Sequence, residues 1–233
     1  MTSSRTLADQ TCDRIGLAIV RGDYPIDQAL PVEAELIKSL DISRNILREA
    51  VKVLSGKGLL VARRRAGIFV APMADWNFLD ADVLRWALSD PIRQEQVLAE
   101  LTQLRTILEP EIAALAASRA TTEDQLRLVL AYEAMVAGQN DPEAAIAADI
   151  DFHRRLLLAS HNGLLTSFLP ALSTLLRANF AKSIRTPDGF IRNLADHHAI
   201  AEAVRHRDPA AAREAMRTLL CKNEADLAAS PAD

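Results

Sequence analysis

The sequence predicts an N-terminal α/β domain of three short helices and a β-hairpin, followed by a C-terminal all-α bundle. Three observations carry this. Composition shifts at Ala71-Pro72, where a β-rich stretch gives way to alanine- and leucine-rich sequence. Before that point, apolar residues at helical spacing are punctuated by Gly22, Pro25, Gly56 and Gly58. After residue 90 glycine is scarce and no strand-like alternation is sustained. Helices packed on helices are then the economical way to bury the apolar faces.

In the first predicted helix Cys12, Ile15 and Ile19 share one face, and Gly22 and Pro25 stop it. Pro31 suits the first turn of the second, whose Leu36 and Leu40 face inward. Ser43 is an N-cap for the third, where Leu47, Ala50, Val51 and Leu54 form a buried stripe. Leu59–Ala62 and Gly67–Val70 read as a hairpin with Arg63, Arg64 and Arg65 leading into its tip. This order makes a winged helix-turn-helix. A connecting helix is expected over Trp76–Ser89, closed before Pro91. About six helices follow, with breaks near Thr121, Asp141, Asn162, Pro187 and Asp208. The expected domains are 1–72, a linker over 73–90, and a helical domain over 91–233.

The net charge of −4 is divided unevenly over the 233 residues. Residues 1–72 carry +3 and the remainder −7. Within Ile42–Val70 there are seven basic residues and one acid, Glu49, which is the local positive field that phosphate binding needs. Most such runs are simply solvated faces, so charge alone decides little. Cys12 and Cys221 are the two cysteines, which excludes a disulfide framework and fits a reducing cytoplasm. No apolar run approaches the roughly 18–20 residues of a membrane span. The opening MTSSRTLADQ lacks the apolar core of a secretory signal.

On the third helix Arg44, Arg48 and Lys52 recur at i+4 on a face away from the apolar stripe, with Asn45 beside them. An apolar back and an Arg/Asn front is what reading base edges in a major groove requires. A basic hairpin beside it can follow phosphates or enter the minor groove. Glu33 and Glu49 read as structural, through helix-dipole and ion-pair roles.

The stretches LPVEAEL, DISRNILREAV, LSGKGLL and GIFV resemble the GntR family of winged-helix regulators. The resemblance implies DNA contacts from Ser43, Arg44, Asn45 and Arg48, and from the wing tip near Arg64 and Arg65. Two positions depart from the family pattern. Ala34 stands where many members carry a basic residue, and Arg65 replaces a frequent glycine at the tip.

In the C-terminal part, polar residues fall on apolar stripes. Asp149 and His153 lie on the stripe of Ile146, Ile150 and Leu157, and His197 on that of Phe190, Leu194, Ala201 and Val204. Arg105 lies among Leu101, Leu108 and Ile112. Buried charge is costly unless paired or liganded. Asp149 and His153 with His197 suit a three-ligand N/O metal site, but the pattern alone favours a buried Asp–His hydrogen-bonded pair without metal. Arg105 suits either a ligand contact or a pair with Glu109 at i+4. His161, His198 and His206 read as loop or surface residues.

The stretches LRTILEPEIAALAA, DIDFHRRLLLASHN and HHAIAEAVRHRDPAAAREAM resemble the FadR-type effector domain, so that the bundle is expected to be FCD-like. In many members an Asp and three His bind a divalent metal that helps hold a carboxylate effector. Asp149, His153 and His197 match the first three positions, and the fourth falls on Leu219, which has no donor. The implied ion is Zn, Ni or Mn. The family arginine matching Arg105 implies a contact with an effector carboxylate, so that Arg105, Asp149, His153 and His197 form the expected effector site. WNFLDADVLRW (Trp76–Trp86) further resembles regulators of sugar-acid catabolism, galactonate regulators among them. The expected protein is a cytoplasmic homodimeric repressor on a palindromic DNA operator, released by a small carboxylate or sugar acid. The alternatives are a metal-dependent enzyme, for which no motif is recognisable, and a ligand-independent DNA-binding adaptor.

Overall fold

The computed structural model describes residues 5–183 and 189–229 and divides into two compact units, between Val97 and Leu98. In the first unit, α1 (Leu7–Arg21) starts in a capping box between Thr6 and Asp9. It ends at Gly22, whose left-handed φ of 83° suits a residue without Cβ. Cys12, Ile15 and Ile19 are buried as expected. α2 (Glu33–Leu40) begins after Val32, so Pro31 lies before the cap and not in the first turn. The segment ahead of it is instead drawn into the wing, where Leu30 N–H donates to the Ile68 carbonyl at 2.8 Å.

α3 (Arg44–Gly56) buries Leu47, Ala50 and Leu54, while Val51 is half-buried. β1 (Leu60–Arg63) and β2 (Gly67–Val70) form an antiparallel hairpin, with Leu60 opposite Val70 and Arg63 opposite Gly67. Its first strand starts one residue later than expected.

The expected connecting helix is shorter than the sequence suggests. A 3-10 turn over Met73–Asp75 precedes α4 (Ala81–Leu88), because Asp80 caps the helix by accepting from Asp82 N–H (3.0 Å) and Val83 N–H (3.3 Å). This helix packs on α1. Trp86 stands against Gly16, where an added Cβ would meet the indole ring at 2.5 Å. Asp13 accepts from Trp86 Nε1 at 3.0 Å and pairs with Arg85 and Arg5.

The division between units falls inside α5 (Pro91–Arg119). The second unit continues with α6 (Thr122–Ala137), α7 (Pro142–Ala159), α8 (Gly163–Thr166), α9 (Leu169–Ser183), α10 (Gly189–Arg205) and α11 (Pro209–Ala229). Thr121, Asp141 and Asn162 each cap the helix that follows. The extra break, between the single turn of α8 and α9, gives one helix more than the sequence suggests. The break expected near Pro187 and the side chain of Phe190 lie outside the described residues. α6 packs on α7 and α10, α10 on α11, and α9 on α7 and α11. Among the described residues no helix is long and apolar enough to cross a membrane.

Candidate functional site

The DNA-facing candidates come together at the start of α3. Ser43 is extended and its hydroxyl accepts from Ile46 N–H at 3.4 Å, so it caps the helix and retains its own proton to donate. Arg44, Asn45 and Arg48 are exposed, opposite the buried Leu47, Ala50 and Leu54. Glu33 faces both arginines, with its Oε1 3.1 Å from Arg44 Nε and 3.6 Å from Arg48 Nε. The far end of α3 is fixed as well: Gly58 has φ 81° and passes so near the Asp75 carbonyl that a Cβ would lie 2.0 Å from it.

The wing arginines divide into two kinds. Arg63 pairs with Asp27 at 2.9 Å and lies over the Phe69 ring at 4.3 Å, so it is a tether. Arg64 and Arg65 are exposed and, among the described residues, enter no ion pair. Arg65 has φ 62°, in the left-handed region. That conformation accounts for a glycine being natural at this tip.

In the helical unit, the structure gathers the polar residues that the sequence places on apolar stripes. Asp149 and His153 on α7, His197 on α10, and Arg105 and Glu109 on α5 are all buried. Asp149 Oδ1 lies 3.2 Å from His197 Nε2 and 3.9 Å from His153 Nε2. A direct hydrogen-bonded pair between Asp149 and His153 is therefore not formed. One ligand atom from each of the three lies within 4.8 Å of the others.

The ring tautomers follow from the neighbours. His197 Nδ1 is 2.7 Å from the Asn193 carbonyl, which only accepts, so the proton sits on Nδ1 and Nε2 carries a lone pair. That Nε2 is buried and has no partner in hydrogen-bond geometry, its approach to Asp149 being misaligned. His153 Nε2 lies 3.1 Å from Arg105 Nη2, a donor, so it too presents a lone pair. Its Nδ1 faces Glu109 Oε2 at 2.9 Å. His197 thus turns an acceptor nitrogen directly toward Asp149, while the acceptor nitrogen of His153 is shared with Arg105, which a cation between the three residues would have to displace. The donor set fits a divalent ion of the zinc, nickel or manganese kind.

Burial alone would raise the Asp149 pKa, but once the two rings are protonated, as in acid, the His197 ring and the charges of His153, His197 and Arg105 bring it down to about 2. Burial likewise opposes ionisation of Glu109, and Arg105 and His153 outweigh it to lower that pKa. Arg105 is paired with Glu109 through Nε while its Nη2 reaches His153. Phe152 closes the cluster on one side, edge-on to His153 and His197 with centroids 5.8 and 5.0 Å away. Leu219 is fully buried on α11 and offers no ligand atom. Of the other histidines, His161 pairs with Asp124 at 2.8 Å, His198 lies tilted against the Tyr132 ring, and His206 is exposed. The sequence pairs Glu109 only with Arg105. Its contact with His153 joins residues 44 positions apart, which no local spacing reveals.

Residues 7–70 match the model of bacterial regulatory proteins, gntR family, and residues 100–221 match the FCD domain. The galactonate operon transcriptional repressor of Escherichia coli (strain K12) is 36% identical over 224 residues, 96% of either chain. The Glc operon transcriptional activator of the same strain is 30% identical over 222 residues, 91% of this chain and 85% of that one. Among solved structures, Streptococcus agalactiae GntR is 28% identical with a TM-score of 0.52, covering 94% of this chain and 100% of that one. E. coli McbR/YncC, at 19% identity and a TM-score of 0.55 over 97% and 98% of the two chains, shares the fold. These families and relatives are transcriptional regulators and not enzymes. The chain therefore belongs to the gntR family of bacterial regulatory proteins, as a DNA-binding transcriptional regulator with a C-terminal FCD domain.

Proposed function

We propose that this regulator represses a catabolic operon in the cytoplasm and leaves its operator when a small carboxylic acid, a sugar acid of the galactonate kind, binds the helical domain. Residues 1–72 would bind DNA through Ser43, Arg44, Asn45, Arg48, Arg64 and Arg65. Residues 91–233 would bind the effector and pair two chains, with 73–90 joining the parts. A homodimer on a palindromic site follows from the affinity that one small reading module lacks. The observation that carries the effector reading is a buried cation, Arg105, beside the three converging ligand residues. Such a cluster favours a small anion with further oxygen atoms. Repression and the sugar-acid class are supported by the 36% identical relative, whose name states both a galactonate operon and a repressor.

Asp149, His153 and His197 would hold one divalent ion, and Leu219 leaves the protein shell one donor short. When bound, the ion supplies positive charge and an open coordination position for a carboxylate or hydroxyl oxygen. Arg105 orients the acid through charge, and Phe152 keeps water from that side.

The test is a thermal-shift series with galactonate, other sugar acids and lactate, each with and without Zn2+, Ni2+ or Mn2+. The best ligand is then added to the full chain on a duplex recovered by selection from a randomised library. Stabilisation by a sugar acid together with release of the duplex is the expected result. No stabilisation by any acid, with or without metal, would reduce the helical domain to a dimerisation module. Tighter DNA binding on adding the acid would reverse the sign, to an activator.

A further inference from the structure

Glu33 is the first residue of α2, across the turn from α3. Its Oε1 is buried, although the side chain as a whole is 40% exposed. That oxygen lies between Nε of Arg44 and Nε of Arg48, at 3.1 and 3.6 Å, and neither approach is aligned as a hydrogen bond. The two arginine side chains are themselves 67% and 70% exposed, and among the described residues neither enters another ion pair. One carboxylate thus faces both cations of the helix front.

Ion pairs this exposed add little to folding. A negative charge among phosphate-facing residues also weakens attraction to any DNA backbone. The effect of Glu33 must then be sought in geometry. The carboxylate approaches each guanidinium at Nε, and among the described residues Nη1 and Nη2 of Arg44 and Arg48 make no hydrogen bond. Those two nitrogens form an end that can reach O6 and N7 of one guanine together. Holding a long arginine in one orientation beforehand also reduces the entropy lost when it settles on a base edge.

The geometry points to Glu33 as a specificity-determining positioning residue, one that orients Arg44 and Arg48 for base-edge reading while tempering their attraction to phosphate. The inference rests on α3 being the helix that reads DNA. It separates two quantities that a purely structural glutamate would leave coupled. Removing its charge loosens the arginines, so discrimination falls. The same change removes a negative charge, so binding to unrelated DNA holds or rises.

The test uses the full chain, a duplex recovered by selection from a randomised library, and a scrambled duplex of equal length, all at one salt concentration. Glu33→Gln should lower the ratio of the two affinities by roughly three- to tenfold, with scrambled-duplex affinity unchanged or higher. In an Arg44→Ala, Arg48→Ala background the same substitution should no longer change the ratio. Thermal melting checks folding, and Glu33→Asp, too short to span both arginines, carries the same comparison if Glu33→Gln unfolds. An unchanged ratio, or equal changes in both affinities, overturns the role. If the arginine variants weaken selected-duplex binding while Glu33→Gln keeps the ratio, the role of Glu33 alone falls. If the arginine variants bind as before, the reading of α3 falls with it.

Discussion

Glu109 Oε2 lies 2.9 Å from Nδ1 of His153, while Nε2 of the same ring faces Arg105 and Asp149. The approach is not aligned as a hydrogen bond, so this buried carboxylate acts on the Nδ1 side of the ring through charge, while Nε2 is the nitrogen turned toward the metal-ligand candidate Asp149 and toward Arg105. Partners of this kind typically change metal affinity by about 10- to 100-fold when removed. Glu109→Gln is expected to weaken Zn2+ binding in that range, measured by competition with a chromogenic chelator. It should also lower the melting temperature, because Arg105 loses its charged partner. An unaltered zinc affinity would detach Glu109 from the site.

The same cluster makes stability depend on acid. The Asp149 pKa falls from 3.8 to about 2 on folding, and Glu109 moves in the same direction. With the folded value below the unfolded one, the unfolded chain takes up the proton more readily. The stabilisation is therefore complete above the unfolded value of 3.8 and is lost as pH drops toward 2. For Asp149 it amounts to roughly 2 kcal/mol. Metal-free protein carrying Asp149→Asn should show a flatter acid limb in a plot of melting temperature against pH. A limb as steep as in the unsubstituted protein would assign the acid sensitivity to other carboxylates.

At the start of α3, Arg44→Ala and Arg48→Ala are expected to reduce operator binding by about 1–3 kcal/mol each if the contact is to a base edge. Fluorescence anisotropy at fixed salt on the selected duplex provides the measurement. Binding unchanged by both substitutions would remove α3 from the interface. Because both arginines meet Glu33, their effects should not add.

The wing gives a different signature. Arg64 and Arg65 are free of ion pairs among the described residues, while Arg63 is held by Asp27 and Phe69. Changing Arg64 and Arg65 to Ala should shrink the slope of log affinity against log salt by roughly 0.9 per lost phosphate contact. Arg63→Ala should act more through the shape of the hairpin than through the slope. Arg65→Gly removes the charge and relieves the left-handed backbone at φ 62°, so it should lose slope without losing stability. A slope indifferent to Arg64 and Arg65 would leave both in plain solvent.

The fold was legible where periodicity and caps coincide. Ser43, Thr121, Asp141 and Asn162 mark helix starts because a short polar side chain there satisfies a free N–H. Pro31 misled because the preceding backbone bonds to the wing, a tertiary demand that local sequence does not record. The start of α4 differs from the periodicity for a related reason: Asp80 caps it, but Trp76 and Phe78 ahead of it extend the apolar pattern. In the site, the misplacement of Asp149, His153, His197 and Arg105 on apolar stripes was enough to single them out. The convergence of α5, α7 and α10 that gathers them into one buried cluster is long-range and has no local signature. Glu33 shows the same limit, since its partners lie beyond the turn.

Arg105 stands in two relations at once, and they oppose each other. Its Nη2 lies 3.1 Å from His153 Nε2, the atom that a divalent ion would need, and its charge repels any cation held there. The same charge is what draws an acid into the cluster. Arg105→Ala should therefore tighten divalent binding and weaken the response to a carboxylate effector, two changes of opposite sign from one substitution. Because removal strands Glu109 in the core, Arg105→Lys should accompany it, keeping a charge for Glu109 while losing the planar fork that reaches His153. Calorimetry with Zn2+ reads the first effect, and the acid concentration for half-release of the duplex reads the second. If both affinities fall together, Arg105 acts only as a structural partner of Glu109. If divalent binding tightens and the effector response stays intact, the acid is recognised elsewhere in the helical domain.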